Sequence, residues 1–357
     1  MERLKERSCL IDFTNADEMK NFLGEMENSD VYIPLRVNTI WTGVEEGEAV
    51  LKGIDADTGD EVTTPLWDFS MKSLTKRSGE DASGNTMFTD EEILDLMNPF
   101  WKKQKAKKTG VARIRGGKLM GLGSEQYETI SQKGLIEETE KWLETHHKDG
   151  YTFAGGEYSH TLTHAKFIVN DAITPGYKTA WKTAGLPENL LQHSTLVVDI
   201  YTDDVAECAA KAIVQMDVGG SKFLIGNPVT VEHRNGHGGM EGFAQELDKL
   251  DITIRDELDS LSKLMSINLL HPKEAAIMAL KKAKIDRLSK KACKELIEDM
   301  MFGTSESAYI VYLYLHGILD TFNGAKLNEE RKLRVVTALR TLLKEDWTKM
   351  DVPSASL

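Results

Sequence analysis

Cysteine is scarce in this chain of 357 residues: Cys9, Cys208 and Cys293 lie far apart and form no CxxC pair. An odd number of widely spaced thiols argues against a disulfide framework and against a cysteine-based zinc site, and fits a reducing compartment. Long apolar runs are missing too. No stretch approaches the roughly 18 residues that a membrane span requires, so no membrane partner is expected. The first residues, Met1-Glu2-Arg3-Leu4-Lys5-Glu6-Arg7, carry charges of both signs and lack the apolar stretch of a secretory signal, which leads us to expect a cytoplasmic protein. Nucleotide and hydrolase signatures are likewise absent. The chain has no GxxxxGK[ST] and no GxSxG, and Gly116-Gly117-Lys118 with Gly121 and Gly123 brackets a hairpin rather than opening a dinucleotide-binding helix.

What remains is an ordinary globular composition, 41% hydrophobic and 28% charged, in a chain long enough for two or three domains. Val31 to Thr42 and Glu48 to Ile54 are rich in β-branched and aromatic residues, the second run ending at the turn-like Asp57-Thr58-Gly59-Asp60. Leu66, Phe69, Met71 and Leu74 then follow a helical spacing. Thr89-Asp90-Glu91-Glu92 before Ile93, Leu94, Leu96 and Met97 reads as a helix N-terminus with acids in its first turn. Val111 to Leu122 reads as two strands about a Gly116-Gly117 turn, with Arg113 and Arg115 on one face and Ala112 and Ile114 on the other.

A helix around Ile136, Trp142 and Leu143 comes next, then strands across Tyr151 to Val169 interrupted at Gly155-Gly156, and further strands at Thr195 to Tyr201, Ile213 to Val218 and Lys222 to His233. From Gly239 to Trp347 apolar residues recur every three or four positions, as in about five helices, with breaks at His271-Pro272 and Gly303-Thr304-Ser305. The expected fold is therefore α+β: a mixed or antiparallel β-sheet with helices, followed by a C-terminal α-helical module. The expected divisions are 1–110, a mixed N-terminal region; 111–238, a β-rich domain carrying the basic hairpin; and 239–357, a helical domain.

Histidines are the first place to seek metal or acid/base chemistry. His160 and His164 are four apart, as are His233 and His237, so the four are weak candidates for one metal site. On a strand, however, residues four apart stand roughly 13 Å from each other and cannot share an ion directly. Without acids or cysteines at ligand spacing both pairs read as structural, and no cofactor is expected. The paired acids Asp203-Asp204, Glu137-Glu138 and Glu329-Glu330 read as helix-end or surface charges. No catalytic residue is assigned, and the chain reads as a non-enzyme.

Charge distribution is more informative. Between Trp101 and Ser124 stand eight basic residues, Lys102, Lys103, Lys105, Lys107, Lys108, Arg113, Arg115 and Lys118, and no carboxylate. Setting this +8 apart from the net charge of −13 leaves −21 for the rest of the chain. A polyanion drawn to the island would be repelled elsewhere, which confines contact to one face. Phe100, Trp101 and Tyr127 flank the island as aromatic partners for bases, Trp101 also reading as core.

Several segments in fixed order resemble a phage- and plasmid-associated family of unknown function, the phage/plasmid-like proteins. They are Val111-Ala-Arg-Ile-Arg115, Met120-Gly-Leu-Gly-Ser124 with Tyr127, Phe153-Ala-Gly-Gly-Glu-Tyr-Ser-His160, Pro228-Val-Thr-Val-Glu-His-Arg-Asn-Gly-His237, and Ser307-Ala-Tyr-Ile-Val-Tyr312 running on to Trp347 and Asp351. The resemblance implies a cytoplasmic protein of a mobile element or prophage and brings no catalytic residues with it. The expected function is a phage-type protein that binds or anneals single-stranded DNA through Lys102 to Lys118, as a homo-oligomer assembled by its C-terminal helices. The alternatives are an acidic phage protein that engages a host defence or replication factor and, behind it, a His-based metalloenzyme.

Overall fold

A computed structural model of the protein describes residues 11–67, 69–78, 89–147, 150–160, 163–169, 174–192, 195–202, 209–232, 239–322 and 329–357. It opens with β1 (Ile11–Phe13) and α1 (Ala16–Asn28), where the Asn15 side chain accepts from the N–H groups of Asp17 and Glu18 and starts the helix. The chain then enters a small body made of β2 (Val31–Arg36), β3 (Trp41–Glu45), β4 (Glu48–Ile54), β5 (Glu61–Pro65), α2 (Ser70–Ser78), α3 (Asp90–Lys102), β6 (Thr109–Arg115) and β7 (Lys118–Ser124). Two three-stranded sheets, in the orders β2-β6-β7 and β3-β4-β5, share one core in which Leu35, Leu51, Leu94, Met97, Trp101, Ala112 and Leu119 are buried.

Local chemistry accounts for these elements. Thr89 caps α3 in a reciprocal box with Glu92, as the order Thr-Asp-Glu-Glu predicts. Asn98, on the same helix, bonds both the N–H and the carbonyl of Thr42 at 2.8 Å, so that a side chain satisfies backbone groups of β3 that would otherwise face the helix unpaired.

The remaining elements form a larger body: α4 (Gln132–His146), β8 (Tyr151–Tyr158), β9 (Thr163–Val169), α5 (Pro175–Thr183), α6 (Glu188–Gln192), β10 (Thr195–Thr202), β11 (Ala209–Val218), β12 (Ser221–Glu232), α7 (Gly239–Ser266), β13 (Asn268–Leu269), α8 (Pro272–Lys282), α9 (Lys290–Asp299), β14 (Glu306–Ser307), α10 (Ala308–Leu315), α11 (Ile318–Thr321) and α12 (Glu329–Thr341). Its main sheet has the order β1-β8-β9-β10-β11-β12, antiparallel throughout. Gly155, at φ +133°, makes a bulge inside β8 rather than ending the strand. The long helix α7 lays Phe243, Leu247, Leu250, Ile254, Leu258 and Leu261 at three- and four-residue spacing into the core that the sheet shares with the C-terminal helices. No helix of the described residues is long and apolar enough to cross a membrane.

The fold is thus α+β, with antiparallel sheets followed by a helical run, as expected from the sequence. The expected divisions are corrected at both ends. The boundary at 110/111 falls inside β6, and the basic hairpin pairs with β2 of the small body rather than with the central strands. Residues 11–28 belong to the large body: Ile11 faces Tyr158 across β1 and β8, and Phe13, Met19 and Leu23 are buried in the large core. Residues 239–357 share that core instead of closing one of their own.

Candidate nucleic-acid interface

The hairpin β6–β7 turns through Gly116 and Gly117 at φ +59° and +78°, the two positive values that a two-residue hairpin loop of this hand demands. Period-2 alternation sends Ala112 and Ile114 into the small core. On the opposite face of the sheet β2 sets Tyr32 across from Arg113, Pro34 across from Val111 and Arg36 across from Thr109.

The structure places two of the expected nucleic-acid-binding residues, Arg113 and Arg115, away from solvent. Arg113 and Arg115 are 7% and 1% exposed, and both clasp Asp30, the residue just before β2, whose side chain is 1% exposed. Arg113 donates from Nε and Nη2 to Oδ2 of Asp30 at 2.9 and 2.6 Å; Arg115 donates from Nε to Oδ1 at 2.6 Å and from Nη2 to Oδ2 at 2.9 Å. Taking two guanidiniums out of water is costly, and it is offset here by one carboxylate that saturates its oxygens with charge-assisted bonds. The remaining arm of Arg115, Nη1, crosses to the large body and donates to the buried hydroxyl of Tyr158 at 2.7 Å. That hydroxyl also lies within hydrogen-bond distance of Nδ1 of His160, at 3.1 Å. These arginines join the two bodies.

The other six members of the basic island separate to the two ends of β6. Lys118 stands at the turn, its Nζ 5.3 Å above the ring of Trp67, which also donates from Nε1 to the carbonyl of Arg115 at 3.2 Å. Around Trp67 gather Phe69, at 6.0 Å and nearly parallel, and His160, at 4.6 Å. Lys102, in the last turn of α3, and Lys103, Lys105, Lys107 and Lys108, which follow it, occupy the opposite end. Seven strand residues, roughly 20 Å, lie between the two groups. The lysine turn is anchored by the Lys108 carbonyl, which accepts from Val37 N–H at 2.9 Å, and by the bond from Lys108 N–H to the Lys105 carbonyl, also 2.9 Å. All five lysines are exposed, and among the described residues none of them makes an ion pair; Lys108 donates to Gln104 Oε1 at 2.9 Å. Arg36, exposed and opposite Thr109, joins this end. The Thr109 hydroxyl at this end donates to Glu125 Oε2 at 3.4 Å.

The flanking aromatics sort the same way. Trp101 is core, and Phe100 packs edge-on against it. Tyr127 packs against Gly123 of β7, close enough that a Cβ there would sit 2.8 Å from the ring, and its ring centre is 6.4 Å from that of Tyr32. Sequence reading missed both Arg36 and Tyr32. The alternation Tyr32-Ile33-Pro34-Leu35-Arg36 was the available signal, but only the pairing with β6 shows that it runs beside the basic hairpin.

Of the histidine candidates, the two that are described, His160 and His164, form no metal site with other described residues. His160 is engaged with Tyr158 and Trp67, while His164 lies on β9 facing Glu157 of β8. His233 and His237 fall outside the described residues, as do Cys9 and Cys208. Among the described residues no group of His, Cys, Asp and Glu could hold a metal ion. Cys293 is buried, and burial pushes its thiol up to about 11, the opposite of what a reactive thiolate needs. No protein-family model, no curated protein and no solved structure matches this chain.

Proposed function

We propose that this protein binds single-stranded nucleic acid at the lysine end of the small body, with Lys102, Lys103, Lys105, Lys107, Lys108 and Arg36 on the phosphates. The observation that carries the reading is local: five exposed lysines and one exposed arginine gather at one end of one sheet, and no carboxylate pairs with the lysines among the described residues. In a chain of net charge −13 such a patch draws a polyanion while the remaining surface repels it, so that binding is restricted to this end. Arg113 and Arg115 are scaffold, and Lys118 stands apart at the hairpin turn. The mobile-element setting and a homo-oligomeric assembly belong to the same proposal, the second of them checked by light scattering of the purified chain.

Fluorescence anisotropy with a labelled single-stranded oligonucleotide tests the reading. Affinity should fall with salt, and Lys105→Ala, Lys107→Ala and Lys108→Ala together should flatten the log–log salt slope by about 0.7 for each phosphate that is no longer neutralised. Lys291→Ala, on α9 and paired with Glu295, should leave affinity and slope unchanged. No binding at low salt, or an equal weakening by both sets of variants, would refute the assignment.

A further inference from the structure

We infer that Tyr32 and Tyr127 form a platform on which unpaired bases stack, so that the ligand class is a single strand with accessible bases rather than any polyanion. The inference rests on the proposed phosphate contacts of the lysine turn and extends them along the sheet. Electrostatics alone would bind duplex, heparin or polyphosphate equally well, because lysines see only charge. Selection for a single strand needs π faces beside the charges.

The outer face of β2-β6-β7 supplies them. Tyr32 is 37% exposed and Tyr127 is half-buried, with ring centres 6.4 Å apart and planes inclined by 31°. Each ring is held in place from the protein side. The guanidinium of Arg113 lies 5.9 Å from the centre of the Tyr32 ring, and that arginine is itself fixed by its two bonds to Asp30. Tyr127 rests on Gly123, where the missing side chain is what lets the ring lie against the strand. Neither ring is needed by either core: both are absent from the small and the large hydrophobic clusters. Along β2, Tyr32 stands four residues from Arg36, roughly 13 Å, a span that a short stretch of extended strand covers while its backbone reaches the lysines. The buried arginines thus acquire a second role, since the ion cluster that joins the two bodies also positions one of the stacking rings.

The test compares two probes with equal phosphate counts: an oligothymidylate of about 20 nucleotides and an abasic oligomer of the same length. The intact protein should bind the thymidylate more tightly. Tyr32→Ala and Tyr127→Ala should each weaken thymidylate binding by about 5- to 150-fold and bring it toward the affinity of the abasic strand, while Tyr32→Phe and Tyr127→Phe retain it. The lysine substitutions should weaken both probes together. Equal binding of the two probes by the intact protein would overturn the stacking platform while leaving the phosphate contacts standing. The same holds if the Tyr→Ala variants, shown folded by circular dichroism, weaken on both probes in parallel. Failure of both probes at low salt would remove the phosphate contacts and the platform together.

Discussion

Removal of Asp30 should cost this protein heavily, and the expected cost follows from its geometry. One carboxylate accepts four bonds of 2.6–2.9 Å from two arginines, and all three side chains are at most 8% exposed. Asp30→Ala leaves two guanidiniums in a low-dielectric seam with their main acceptor gone. Breaking a buried pair in this way costs about 3–5 kcal/mol, against about 0–1 kcal/mol for an exposed pair such as Lys291–Glu295. Urea denaturation followed by tryptophan fluorescence is the assay, because Trp67 bonds the carbonyl of Arg115 and reports on the seam. The triple variant Asp30→Ala, Arg113→Met, Arg115→Met should recover part of the deficit, since apolar replacement of a buried ion cluster is often close to neutral. A single variant Asp30→Ala within about 1 kcal/mol of the parent would refute the reasoning, as would a triple variant less stable than the single one.

Two further perturbations follow from buried groups elsewhere. Burial lowers the pKa of His316 to about 3, so between roughly pH 6.5 and that value the unfolded chain binds a proton that the folded chain excludes, and this residue removes about 1.4 kcal/mol of stability for each pH unit of acidification. His316→Phe, which replaces a ring whose two nitrogens have no hydrogen-bond partner among the described residues, should flatten the acid limb of a stability-versus-pH curve without a penalty at neutral pH; identical limbs would refute it. Gly226 sits at φ +72° with Leu250 and Ile254 where a Cβ would come within 2.5 and 2.8 Å, so Gly226→Ala should lower stability by about 1–3 kcal/mol in chemical denaturation. A change below about 0.5 kcal/mol would show that the strand relaxes instead.

Local signals in the sequence were legible where the structure is made by neighbours. Gly116-Gly117 is a turn with positive φ at both positions, Thr89 starts a helix, and the three- and four-residue spacing after Gly239 becomes α7 and its successors. What could not be read was the pairing of distant segments. Asp30 and Arg113 meet across 83 positions of chain, and β1 meets β8 across more. Alternation states that Arg113 and Arg115 share a face; it cannot state that Asp30 and Tyr158 cover that face, because the periodicity is the same with water on the other side. The domain divisions failed for the same reason, since they were drawn along the chain while the cores were assembled across it.

The charge island shows how burial reassigns residues that look equivalent in one dimension. Asp30 cancels one of the two arginine charges and burial keeps both guanidiniums from direct contact, so counting eight positive charges overstated what a ligand would meet and placed their centre too near the hairpin. With Arg113 and Arg115 committed to Asp30, the outward field comes from the lysine turn and is reinforced by Arg36, which lies outside the island in sequence. The proposed interface therefore centres roughly 20 Å from the hairpin turn, toward the end of α3. It also changes character, because the sheet face that begins at the lysines leads to Tyr32 and Tyr127 rather than to more charge. Salt should accordingly weaken the phosphate contacts and spare the stacking, leaving a base-dependent remainder of affinity at high ionic strength that a purely basic patch would not possess.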